Sequence, residues 1–227
     1  MKVDLWLAKL DELTDVDESL LSDEEQIRAD RFIHQNFKDH FIKRRSILRQ
    51  LLSKYLAVKP NEIVINQTKL GKPYVANTDE KIFFNTSYSK DHVLYGFSKD
   101  AEIGVDIEFL DAEIEAELIS NHFFGSDEIS LIRSSVGKTK SEAFFRLWCI
   151  KEAYIKLVGK GLTFPLDQVL VTNTMNKPFL TVPSHTDSNR TEILECRFLD
   201  VVPNFGIGVV VHGKELEIQY REYTFEG

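Results

Sequence analysis

The stretch LWCIKEAYIKLVGKGL, Leu147–Leu162, predicts a long helix around which the rest of the chain is organised. Trp148, Ala153, Leu157 and Val158 recur at helical spacing and give it an apolar face. Glu152 and Lys156 stand four apart and share another face. Upstream, Thr139 and Glu142 have the T-x-x-E spacing of a capping box. Downstream, Gly159 and Gly161 tolerate the positive φ of a helix terminus. The expected helix is about five turns long. Taken alone, Glu152 and Lys156 read either as an i,i+4 surface pair worth a few tenths of a kcal/mol or as members of a site.

Outward from this helix, the pattern strand, helices, strands occurs twice. Val3, Leu5 and Leu7 alternate as in a strand. Ser22 and Glu25 form a capping box that opens a helix through SDEEQIRADRFI and sets Arg28 and Arg31 one turn apart. A second helix, from about Lys38 to Leu56, turns Phe41, Leu48, Leu51, Leu52 and Tyr55 inward before Pro60 ends it. On it, Lys43, Arg44, Arg45 and Arg49 read by default as a solvated basic face, with an anion site as the alternative. Short β-rich runs follow at 63–65, 81–85, 93–97 and 103–109. Helical patterning returns at Ala112–His122, from Ser126, and in the opening helix. Strands resume at 169–171, 179–182, 193–201 and 206–212 and close with EIQYREY. The expected fold is α+β, a pseudo-dimeric pair of similar halves, 1–104 and 105–227, each a small antiparallel sheet packed on a long helix. A ligand site between the halves is the default expectation.

Composition narrows the function. Of 227 residues, 43% are hydrophobic and 28% charged, as in soluble globular proteins. No segment approaches the roughly eighteen apolar residues of a membrane span, and the first residues lack a signal-peptide pattern, so a cytoplasmic protein without a membrane partner is expected. A net charge of −8 argues against nucleic acid as the main partner. Cys149 and Cys196 form neither a disulfide framework nor a metal-ligand pair and are expected to be reduced and structural.

The chemistry concentrates in a few places. In Ile103–Glu108, Ile103, Val105 and Ile107 face one way, and Gly104, Asp106 and Glu108 the other. Two carboxylates thus stand on one side with Cα atoms roughly 6.6 Å apart. They form either a solvent-facing strand edge or one side of a cation site, and the glycine beside them suits close approach of a ligand or another backbone. With Glu152 as a third carboxylate, the donor set is all oxygen and suits Mg²⁺ rather than zinc or copper. Gly71-Lys72-Pro73 is a turn with a cation at its tip. NTSYS at 85–89 offers either a simple turn or hydroxyls and N–H groups for phosphate oxygens. Together these pieces suggest a metal-bound pyrophosphate, with Lys72, Lys156 and the basic helices meeting its oxygens.

GVDIE at 104–108 and WCIKEAYIK at 148–156 resemble the paired signatures G-x-D-I-E and W-x-x-K-E-A/S-x-x-K of the Sfp-type 4′-phosphopantetheinyl transferases. GKP at 71–73, N-x-S at 85–87, FFGSDE at 123–128 and GKGL at 159–162 match the same family in order, so the resemblance spans nearly the whole chain. It implies transfer of 4′-phosphopantetheine from coenzyme A to a serine hydroxyl of an apo acyl or peptidyl carrier protein, releasing 3′,5′-ADP. By position, Asp106, Glu108 and Glu152 would bind Mg²⁺, with Mn²⁺ also accepted. Lys156 would contact the pyrophosphate and assist the leaving group, and Glu152 or a metal-bound water would be the base. Lys72 would sit beside the adenine and 3′-phosphate, and Arg28 and Ser87 would bind phosphates. The family usually has histidine after that serine where this chain has Tyr88; Tyr88 would contact coenzyme A through its one hydroxyl, and Arg28 or the 43–49 cluster is expected to supply the missing charge. The implied protein is a monomer. A Mg²⁺-dependent phosphohydrolase and a non-catalytic coenzyme A or carrier-binding module are the alternatives.

Overall fold

The first strand, β1 (Lys2–Lys9), is covered on both faces, with Val3, Leu5 and Leu7 buried on one side and Ala8 on the other. It is therefore an inner layer. The computed structural model, which describes residues 1–14, 17–161, 164–174, 177–183 and 190–224, shows what covers it. Its sheet has the order β11-β1-β5-β4, from β4 (Phe83–Ser89), β5 (His92–Ser98) and β11 (Glu217–Glu222). A second sheet has the order β6-β10-β9-β8-β7, from β6 (Ile103–Phe109), β7 (Leu170–Thr174), β8 (Lys177–Pro183), β9 (Thr191–Val202) and β10 (Phe205–Val211). The two sheets share a core of Val3, Leu5, Leu7 and Leu94 against Ile103, Val105, Ile107, Ile207 and Val209. Each such fully buried aliphatic side chain is worth about 1.5–3 kcal/mol of transfer free energy, so this shared core holds the two sheets together.

A long helix lies against the outer side of each sheet. In the first half, α2 (Gln35–Leu56) packs Leu48, Leu51 and Leu52 onto Phe84, Tyr95 and Phe97. In the second, α5 (Lys138–Val158) packs Ile150, Ala153, Tyr154 and Leu157 onto Leu180, Leu194, Cys196 and Val210. The shorter α3 (Ala116–Phe123) and α4 (Ser126–Ser134) cover α5 through Phe124, Ile132 and Phe144. A hairpin of β2 (Ile65–Gln67) and β3 (Pro73–Val75) follows α2, and α1 (Asp23–Ala29) precedes it. The α+β architecture of two similar halves is thus as expected. Among the described residues no helix is long and apolar enough to cross a membrane.

Several local expectations need correction. EIQYREY does not close the second sheet: β11 crosses to the first and pairs parallel with β1, from Lys2↔Glu217 to Leu7↔Glu222. That sheet is therefore mixed, because β1 would otherwise present an uncovered edge. The Ser22–Glu25 capping box forms, but α1 stops at Ala29 because Phe32 turns inward onto Phe41, with ring centroids 5.4 Å apart. No Thr139–Glu142 box forms. Gly137, at φ +54°, starts α5, while Thr139 donates back to the Val136 carbonyl and Glu142 pairs with Lys138. Helix α3 begins at Ala116 rather than Ala112, because the Asp111 side chain accepts from the Glu113 N–H and holds a turn there. Leu162, the last residue of the opening stretch, lies outside the described residues.

Candidate active site

Gly104, Asp106 and Glu108 face α5, and Gly104 sets how closely the helix can approach. A Cβ there would lie 1.8 Å from the Ala153 carbonyl oxygen, and one on Gly208 of the neighbouring β10 would lie 2.2 Å from the Cys149 oxygen. Two strand glycines therefore let the α5 backbone rest directly on the sheet. That contact brings Lys156 over Asp106: its Nζ is 2.6 Å from Asp106 Oδ1 and 2.6 Å from Ser87 Oγ. Asp106 is 2% exposed, which rules out a solvent-facing strand edge there.

The other wall is β4, which lies along the free edge of β6 although the two strands belong to different sheets. Side chains replace a backbone ladder between them. Asn85 Oδ1 accepts from the Val105 N–H at 3.1 Å, Ser87 Oγ donates to Asp106 Oδ1 at 2.9 Å, and Ser89 Oγ accepts from the Phe109 N–H and donates to Glu108 Oε2, both at 3.1 Å. The period-two spacing of Asn85, Ser87 and Ser89 thus matches that of Gly104, Asp106 and Glu108 across the seam. Thr86 and Tyr88 point to the opposite face, so the adjacent Ser87 and Tyr88 serve different surroundings: Ser87 is buried and Tyr88 is 62% exposed.

Electrostatics mark the carboxylates as a set. Burial, then the charges of Asp106 and Glu108, push the Glu152 carboxyl up to about 7 against the opposing pull of Lys156. Glu108 is also raised, first by burial and then by Asp106, while Ser89, Lys156 and the Trp148 indole favour its ionised form. Asp106 Oδ2 and Glu152 Oε1 are buried without a hydrogen-bond partner. Among the described residues, no three His, Cys, Asp or Glu side chains already converge at metal-ligating distance, and the positive charge at Asp106 is that of Lys156. Two orphaned carboxylate oxygens, an all-oxygen donor set and mutually raised acids nevertheless fit a hard divalent cation.

The remaining expected residues fall in two places. Lys72 Nζ donates to the Leu157 carbonyl at 2.7 Å and meets Glu102 at 3.2 Å, so the GKP turn caps the C-terminal end of α5. Arg28, Arg44, Arg45, Thr86 and Tyr88 line a cleft of ≈ 250 Å³ on the far face of β4. There the Arg44 guanidinium stacks on the Tyr88 ring, 3.7 Å from its centroid. The cluster on α2 is only partly a solvated basic face. Arg49 is 2% exposed, where it bonds Glu25 and the carbonyls of Pro60 and Ile63, and Arg45 also pairs with Glu25. These two arginines hold the ionised form of Glu25 despite its burial.

Two features escaped the sequence. Asn85 and Ser89 lie in the NTSYS run expected to turn or to meet phosphate oxygens, but they bond β6 instead, Asn85 to the Val105 N–H and Ser89 to the Phe109 N–H and Glu108. Lys151, next to Glu152, is fully buried; its Nζ lies 2.6 Å from Glu128 Oε2 and donates to the carbonyls of Leu166 and Val169. Glu128 in turn accepts from the N–H groups of Gly125 and Val171. A lysine beside a glutamate on a helix gives no sign of such burial, because the partner comes from a distant segment.

Two family models divide the chain between them. The model described as "4′-phosphopantetheinyl transferase superfamily" matches residues 102–197, and "4′-phosphopantetheinyl transferase, N-terminal" matches 5–98. The 4′-phosphopantetheinyl transferase HetI of Nostoc sp. is 33% identical over 183 residues, covering 78% of this chain and 76% of that protein. The putative 4′-phosphopantetheinyl transferase slr0495 of Synechocystis sp. is 30% identical over 187 residues, covering 82% and 76%. The 4′-phosphopantetheinyl transferase Sfp of Bacillus subtilis is 29% identical over 153 residues, covering 67% and 66%. With both halves matched and the motif residues gathered at the seam between them, the chain belongs to the Sfp-type family of 4′-phosphopantetheinyl transferases.

Proposed function

We propose that this enzyme transfers the 4′-phosphopantetheine group of coenzyme A to a serine hydroxyl of an apo acyl or peptidyl carrier protein. The serine oxygen forms a bond to the β-phosphorus, and the phosphoanhydride bond to 3′,5′-ADP breaks. The observation that carries this reading is the pair of orphaned oxygens, Asp106 Oδ2 and Glu152 Oε1, buried beside the Lys156 ammonium. Asp106, Glu108 and Glu152 would hold Mg²⁺ or Mn²⁺, which neutralises charge on the pyrophosphate when bound. Glu152, which stands one turn from Lys156 on α5, would accept the serine proton. Lys156 sits where it can pass from Asp106 to a phosphate oxygen and stabilise the departing 3′,5′-ADP.

The first half, 1–104, supplies the remaining coenzyme A contacts, and the second, 105–227, the carboxylates and the helix bearing Glu152 and Lys156. Arg28 and the Arg44–Tyr88 stack favour phosphate in their cleft, with Arg44 providing the charge that the family's histidine would bring. Of the three donors on the Lys72 ammonium, two meet acceptors among the described residues, which leaves one for a phosphate oxygen beside the adenine. Ser87 adjoins the phosphate site through Lys156, whose Nζ lies 2.6 Å from its Oγ. The protein acts as a cytoplasmic monomer, since its two halves already form the interface that shapes the site.

Incubation with coenzyme A, Mg²⁺ and an apo carrier protein tests the proposal by mass. A gain of about 340 Da on the carrier, one phosphopantetheinyl group, is expected. No gain across fatty-acid, polyketide and nonribosomal-peptide carriers would overturn it. Free phosphopantetheine would indicate a hydrolase instead, and coenzyme A binding without either product would indicate a binding module.

A further inference from the structure

Ser87 and Ser89 have hydroxyl directions fixed by their neighbours. A hydroxyl that accepts from an N–H donor has its oxygen committed, so its own proton must point elsewhere. Ser87 Oγ accepts from Lys156 Nζ at 2.6 Å, which directs its proton to Asp106 Oδ1 at 2.9 Å. Ser89 Oγ accepts from the Phe109 N–H, which directs its proton to Glu108 Oε2. At Asp106, both donors converge on Oδ1 and leave Oδ2 without a partner. Two serines two residues apart on one sheet thus face two carboxylates two residues apart on the other.

Resting on the cation reading above, we propose that Ser87 and Ser89 are positioning residues: Ser87 turns Asp106 so that its orphaned Oδ2 faces a divalent cation, and Ser89 fixes the Glu108 carboxylate beside it. Edge protection of β6 does not explain both. Asn85 and Ser89 cap the backbone N–H groups of Val105 and Phe109, but the partners of Ser87 are Asp106 and Lys156. Asn85, in the same row, accepts from the Val105 N–H and hydrogen-bonds no carboxylate of the site among the described residues, and so separates the two roles. The arrangement makes the metal site a property of the seam between the halves: β6 and α5 supply the carboxylates, and β4 fixes the rotation of two of them.

Mn²⁺ titration followed by electron paramagnetic resonance, with and without coenzyme A, reads this without turnover. Removing the orienting partner of a metal carboxylate typically weakens binding by about 10–100-fold. Ser87→Ala and Ser89→Ala should each weaken Mn²⁺ binding at least about tenfold, and Ser89→Thr, which keeps the hydroxyl, should stay within about threefold of the parent. Asn85→Ala should lower the urea midpoint yet leave Mn²⁺ affinity unchanged. Wild-type affinity in both alanine variants would overturn the proposal, as would a loss in Asn85→Ala equal to theirs. A higher KM for coenzyme A in Ser87→Ala with unchanged Mn²⁺ binding would also overturn it and make Ser87 a phosphate contact. A parent protein that binds no Mn²⁺ in either condition would overturn the cation reading itself. If Ser89→Ala does not fold, Ser87→Ala alone decides the outcome.

Discussion

Replacing Glu152 with glutamine should abolish transfer and at the same time make the metal-free protein more stable above neutral pH. The carboxyl, ordinarily near 4.5, is pushed up to about 7 by burial and by Asp106. It therefore holds its proton more tightly in the folded chain than in the unfolded one. Its contribution is favourable below pH 4.5 and is lost as pH rises towards 7, beyond which the folded protein carries an ionised acid that the unfolded chain would solvate better. At about 1.4 kcal/mol per pH unit, the displacement corresponds to at most about 3 kcal/mol. Solvent reaching the partly open site screens this to about 1–2 kcal/mol. Urea denaturation in EDTA at pH 8 should show Glu152→Gln gaining that amount, a midpoint shift of about 0.5 M for a urea m-value near 2–3 kcal/mol/M. At pH 4.5 the two proteins should be nearly equal, and Mg²⁺ with coenzyme A should raise the parent but not the variant. A variant no more stable than the parent at pH 8 would refute the argument that burial and the neighbouring carboxylates disfavour ionised Glu152.

Other perturbations test the frame of the site. Gly104→Ala, whose new methyl would lie 1.8 Å from the Ala153 oxygen, should force α5 away from β6 and cost about 3 kcal/mol or more in urea denaturation; a cost below about 0.5 kcal/mol would contradict the close approach. Lys151→Met leaves Glu128 buried without its charge partner and should cost about 3–5 kcal/mol, with partial recovery in the Lys151→Met, Glu128→Gln double variant; additive losses would show that the pair is not coupled. Arg44→Ala should raise KM for coenzyme A about tenfold, as expected for one lost charge-assisted hydrogen bond, whereas Tyr88→Phe keeps the stacking ring and should stay within about twofold. Equal losses in the two variants would contradict this and mean that the Tyr88 hydroxyl meets the phosphate as well as the guanidinium.

What could be read in the sequence follows periodicity. The alternation of Ile103–Glu108 correctly put both carboxylates on one face, and the helical spacing of Trp148–Val158 located the long helix. The two-half architecture followed from the repeated order of elements. What could not be read depends on contacts between distant segments. Arg49 and Lys151 look like surface cations until Glu25 and Glu128 arrive from elsewhere to pair with them. The crossing of β11 to β1 is likewise invisible locally, since a strand's composition says nothing of which edge it will cover. Thr139 and Glu142 had the right spacing for a cap, but the backbone turn at Gly137 decided where the helix began.

That crossing has a consequence for how the chain comes off the ribosome. The first half emerges early enough to begin folding while the rest is still being made, as is usual in vectorial synthesis. Yet one side of β1 stays open until Glu217–Glu222 has been synthesised. Through most of translation the nascent chain therefore carries an exposed strand able to recruit a second copy. Stalled or clipped chains that lack β11 should enter inclusion bodies rather than accumulate as folded, inactive enzyme.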